Sequence, residues 1–141
     1  SEGVWDQGQG ELVDAFHIVS LMVRRGVSSL CLAGFSFGGS IAGRLIQKIQ
    51  NEDERVEVID LIQVAPAVEN FPIDPAALGN VPRTVIYNED DEVVSPEAIG
   101  AYIKAVDAKL IYSEKGGHYF HGELTRLKDA ISSHYLERRI V

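Results

Sequence analysis

Gly34-Phe35-Ser36-Phe37-Gly38 has the form G-x-S-x-G. Its chemistry would be nucleophilic attack by the Ser36 hydroxyl, provided a base removes the hydroxyl proton. The string alone is common; it gains meaning where a strand runs into a helix. There it forms a very tight turn that lifts the serine to the sheet's C-terminal edge, at a helix N-terminus. The helix dipole and free N–H groups at that point favour developing negative charge. Gly34 and Gly38, two before and two after the serine, are expected to let helix and strand pass closely. Gly38, Gly39, Ala42 and Gly43 make the first helical turns unusually small. The bland alternative is a Gly-rich strand–helix turn without chemistry.

A serine nucleophile needs a base and an orienting acid, and in this context they follow in the order Ser, acid, His. Asn88-Glu89-Asp90-Asp91-Glu92 and Gly116-Gly117-His118 occupy those places. Asp91 is the favoured acid because Val93-Val94 would anchor its loop; Asp90 is the runner-up. His118 is the favoured base because two preceding glycines let the backbone turn it towards Ser36. His121 shares its loop and is expected to cap or pack near the last helix. A His118-x-x-His121 metal site is the rival reading, and it leaves the serine turn unexplained. His17 and His134 fall within helices, where surface roles are expected. Cys31 lies mid-strand and reads as a buried, inert thiol.

The elements that must position these residues alternate. Leu12, Phe16, Val19 and Val23 recur at helical spacing over 11–25, closed by Gly26. Residues 28–36 form an apolar run too short for a helix and read as a buried strand. A helix follows over 37–50, then a polar turn at 51–55 and a strand over 56–64. Four of the five prolines lie from Pro66 to Pro82, which marks a loop. Strands are expected at 84–87 and 109–112, and helices at 95–105 and 122–138; Ser95-Pro96 supplies the cap of the first of these. Such alternation predicts a parallel sheet covered on both faces in one α/β domain. The acid and the His then sit at C-terminal strand ends, on the same edge as Ser36.

The chain has 141 residues, a formal net charge of −8 and a single cysteine. The acidity argues against a nucleic-acid partner. One cysteine excludes an internal disulfide and allows a reducing compartment, so a cytoplasmic location is expected. No apolar run approaches the roughly 18 residues that would span a bilayer, and no membrane partner is expected.

At these residues the sequence resembles the α/β-hydrolase superfamily, and within it the small lidless dienelactone-hydrolase-like group. Leu32-Ala33-Gly34-Phe35-Ser36-Phe37-Gly38 matches that group as it stands. So does Asp91-Glu92-Val93-Val94. His118-Tyr119-Phe120-His121-Gly122 matches with Tyr119 as the one departure. The resemblance implies a three-layer α/β-hydrolase fold with a mostly parallel sheet. It implies a Ser36–His118–Asp91 triad that needs no metal or other cofactor and cleaves ester bonds of a small-molecule substrate. It also supports His118 over His121. The Phe37 N–H would supply half of an oxyanion hole. Phe35, Tyr119 and Phe120 are candidates to line a substrate pocket, with core packing as the alternative for each. The link between the strands at 56–64 and 84–87 is too short for a lid domain, which suits small soluble esters. A thioesterase, acyltransferase or peptidase on the same triad stays open, as does a non-catalytic binding domain. The family carries a turn of the form R-G-x-G-x-S-x-G after its fourth strand, and Ser1-Glu2-Gly3 resembles its end. The chain is therefore expected to begin partway through the fold, with the second oxyanion donor upstream.

Overall fold

The computed structural model describes residues 6–52 and 55–139; Ser1-Glu2-Gly3, read above as the end of a family turn, lie outside them. Four strands, β1 (Ser29–Phe35), β2 (Glu57–Val64), β3 (Arg83–Asn88) and β4 (Lys109–Ser113), form one sheet in the order β1-β2-β3-β4, each parallel to its neighbour. The helices are α1 (Gln9–Arg24), α2 (Phe37–Glu52), α3 (Pro96–Val106) and α4 (Leu124–Glu137). A short 3-10 turn at Pro75–Leu78, capped by Asp74 Oδ1 accepting from the Ala76 N–H at 3.0 Å, interrupts the proline-rich link.

Alternation along the strands sends side chains into two separate apolar layers. Leu30, Val58, Leu61, Val85 and Tyr87 face one side. They pack with Leu45, Ile46 and Ile49 of α2, Ile99, Ile103 and Val106 of α3, and Val19 of α1. Ile62, Val64 and Ile86 face the other side and pack with Phe120 and with Leu127 and Ile131 of α4. The domain is thus three layers deep: α1, α2 and α3, the sheet, then α4. The element order agrees with the expected alternation. The last helix starts two residues later than its pattern suggested, because Phe120 (φ 55°) and Gly122 (φ 74°) hold the chain in left-handed turns up to its start.

Two expectations are corrected here. His134 is buried rather than on the surface. From α4 its Nε2 lies 2.7 Å from Oδ2 of the buried Asp60 on β2, whose other oxygen is 3.6 Å from Arg138. The imidazole is buried here because the carboxylate beneath it requires a partner. Cys31 is half-buried rather than fully buried. Burial first, and then the charge of Asp60, push its thiol pKa up, so it is held in the unreactive form.

Candidate active site

β1 runs directly into α2, and Ser36 is the single residue between them. It sits at φ 53°, a left-handed backbone that costs a non-glycine residue about 1–3 kcal/mol. The turn is held from all sides. The Ser36 N–H donates to Val64 O at 2.8 Å, and its carbonyl accepts from Gly39 N at 3.0 Å and Ala67 N at 3.2 Å. The close approach depends on Gly34, where an added Cβ would collide with the Gly38 carbonyl. It depends too on Gly43, where a Cβ would come within 2.6 Å of Ile73. Gly38 plays a different part from the one expected: a Cβ there meets nothing within 4 Å. Gly34→Ala should therefore destabilise the fold by about 3 kcal/mol or more, since backbone rather than a side chain must yield. Gly38→Ala should be neutral or slightly stabilising, as Ala generally is in a helix. Urea unfolding of the two variants checks this contrast; equal midpoints would contradict it.

β3 and β4 end beside each other, so their following loops run together at the edge that carries Ser36. His118 Nε2 lies 3.0 Å from Ser36 Oγ, and His118 Nδ1 lies 2.8 Å from Asp91 Oδ2. Asp91 Oδ1 accepts from the N–H groups of Val93 and Val94, both at 2.8 Å. This is the anchoring expected of Val93-Val94, made through their backbone. The Asp91 side chain is fully buried and His118 is 2% exposed. A carboxylate only accepts, so the ring proton resides on Nδ1, and the Nε2 lone pair is left for the Ser36 hydroxyl.

The alternatives are placed elsewhere. Asp90 does not reach the imidazole; its carboxylate accepts from Gly116 N at 3.1 Å and Gly117 N at 2.7 Å. The His121 side chain is exposed and its N–H donates to Gly116 O. Both ring nitrogens of His118 are already engaged, which leaves the His118-x-x-His121 pair one ligand short. Among the described residues no group of three His, Cys, Asp or Glu is arranged to hold a metal ion.

Phe37 is the first residue of α2, so its N–H has no carbonyl one turn earlier in the helix to bond. Its ring packs edge-on against Phe71 at 4.6 Å. Phe35 and Tyr119 flank the His118 ring, each with its centroid 4.9 Å away. Phe120 is 1% exposed and belongs to the α4-side core. Phe35, Tyr119 and Phe120 all border an apolar cavity of about 410 Å³ between β1 and α4. Sequence reasoning missed Gln63. This residue is fully buried; it donates to Gly39 O at 2.8 Å and accepts from Tyr102 OH at 2.7 Å, pinning α2 just past the elbow. Burial pushes the Tyr102 pKa up to about 12.

No family model and no curated protein matches the chain. Solved structures do. An α/β serine hydrolase homologue from Coxiella burnetii is 29% identical with a TM-score of 0.70, over 92% of this chain and 61% of that one. A lidless α/β serine hydrolase from Xanthomonas campestris is 26% identical with a TM-score of 0.76, over 99% of this chain and 61% of that one. A protein of unknown function from Agrobacterium tumefaciens, assigned to the α/β hydrolases, is 22% identical with a TM-score of 0.81, over 99% of this chain and 65% of that one. The chain thus spans less than two thirds of the length of each of these three proteins. With four parallel strands and four helices matching these neighbours, the chain has the α/β-hydrolase fold, and the proteins it resembles include serine hydrolase homologues, one of them described as having no lid.

Proposed function

We propose that the protein is a serine hydrolase that cleaves small soluble carboxylic esters through an acyl-enzyme on Ser36. The observation that carries this reading is the continuous chain Asp91–His118–Ser36, at 2.8 and 3.0 Å, ending on a serine held at positive φ. His118 Nε2 takes the Ser36 proton as Oγ bonds to the ester carbonyl carbon. Asp91 stabilises the imidazolium that results. The Phe37 N–H donates to the carbonyl oxygen as it becomes an oxyanion. Collapse breaks the ester C–O bond, and the imidazolium returns its proton to the departing alcohol. Water, deprotonated by His118, then releases the acid and restores Ser36.

Small, soluble substrates suit the surroundings. The link between β2 and β3 carries only a 3-10 turn and leaves Tyr119 65% exposed beside His118. Phe35 and Tyr119 offer apolar surface to an acyl group, and the cavity they border extends it. Cytoplasmic residence belongs to the same reading, since the one cysteine, Cys31, is a free thiol.

A panel of p-nitrophenyl esters of increasing chain length tests this. Turnover is expected on the short esters and should fall as the chain lengthens, with EDTA leaving the rate unchanged. Activity abolished by EDTA and restored by zinc would replace the serine mechanism with a metal one.

A further inference from the structure

Asp91 is one of four side chains in its segment that grip the neighbouring loop. β3 and β4 are paired as far as Asn88 and Ser113, so the segment 88–92 runs alongside 114–118. Asn88 Nδ2 donates to Gly117 O at 2.8 Å. Asp90 accepts from Gly116 N and Gly117 N at 3.1 and 2.7 Å, and Glu92 Oε2 accepts from His118 N at 3.3 Å. Arg126 of α4 completes the set: it donates to Asn88 Oδ1 at 2.9 Å and to Glu123 Oε2 at 3.0 Å. Three consecutive N–H groups leading into the base therefore all end on carboxylates.

The loop backbone is shaped for this. Gly116 (φ 133°) and Gly117 (φ 62°) turn successive N–H groups inward, the kind of concavity that takes an anion. Here the anion is the chain's own Asp90. A Cβ at either glycine would be strained by the positive φ and would push on the gripping side chains, 2.8 Å from Asn88 Nδ2 or 2.9 Å from Glu92 Oε2. Two adjacent glycines at positive φ would otherwise leave the backbone before the base loosely determined.

We propose that Asp90, with Asn88 and Glu92, is a positioning clamp that holds the Gly116–His118 backbone so that the imidazole stays between Asp91 and Ser36. Its effect on turnover rests on the hydrolase reading above; its effect on the imidazole does not. None of the three side chains contacts Ser36 or either ring nitrogen of His118, so the clamp acts through geometry and not through chemistry at the ester.

Asp90→Ala tests it with two readouts. On a short p-nitrophenyl ester, kcat should fall about ten- to hundredfold, the range a displacement of roughly 1 Å produces, while KM stays within about twofold. Glu89→Gln, at an exposed carboxylate in the same segment but outside the clamp, should behave as wild type. Separately, the low-field proton resonance of the His118 Nδ1–H in its bond to Asp91 should be sharp in the wild type and broadened or lost in Asp90→Ala. If Asp90→Ala does not fold, Asp90→Asn, which keeps the shape but loses the charge, should show the same changes to a smaller degree. A kcat within about twofold of wild type, or a resonance unchanged by the substitution, would overturn the clamp. A wild type inert on every ester but with a resonance that depends on Asp90 would uphold the clamp and sink the hydrolase reading.

Discussion

Ser36→Ala is expected to lower ester turnover by about 10⁴-fold or more while leaving the fold intact. The nucleophilic atom is removed, and nothing nearby replaces it: Cys31 lies on the far part of β1 with its thiol pKa raised. The structural loss is small. The elbow is held by the Ser36 backbone bonding to Val64, Gly39 and Ala67, and alanine keeps all of these. The single side-chain bond removed is the one to His118 Nε2, a loss of about 1 kcal/mol. Thermal unfolding should therefore change by only a few degrees while kcat collapses. Activity within tenfold of wild type would rule out Ser36 as nucleophile.

Asp91→Asn should cost about 10⁴-fold in kcat, by a different route. The amide oxygen can keep the Val93 and Val94 N–H bonds, so the loop should hold its shape. The amide NH₂ then faces Nδ1, which must become an acceptor, and the ring proton moves to Nε2. The imidazole would donate to Ser36 where it has to accept. Asp90→Asn leaves this tautomer alone, because Asp90 bonds only to backbone N–H groups of Gly116 and Gly117. The loss at Asp91 should thus exceed that at Asp90 by one or more decades. The reverse ranking in kcat/KM would transfer the acid role to Asp90.

Much of this site was legible because its parts depend on local patterns. The G-x-S-x-G string at a strand–helix junction, a carboxylate run after one strand and Gly-Gly-His after the next need only correct element boundaries to converge on one sheet edge. Other features depend on contacts distant in sequence. His134 looked like a surface residue within a helix, and the buried Asp60 beneath it is 74 residues away. Gln63 carries no mark within its strand. Its partners, Gly39 and Tyr102, lie on α2 and α3. The acidic run 89–92 could be recognised as containing the carboxylate that reaches His118. The division of labour within it, one carboxylate to the imidazole and two to the backbone, follows from a loop geometry that residue types do not encode. Of the two glycines expected to allow the close approach, Gly34 does so and Gly38 does not, while Gly43 joins it, because the tight contacts depend on which way each missing Cβ would point.

The central claim is that Ser36 is an activated nucleophile, and covalent labelling tests it most directly. A fluorophosphonate reacts with a serine that a base has activated, whatever the natural substrate. The protein should be labelled once, with the adduct mapped to Ser36 by peptide mass spectrometry. His118→Ala should slow the reaction by several decades. A wild-type protein that stays unlabelled, or an adduct on another residue that forms at the same rate without His118, would contradict the account.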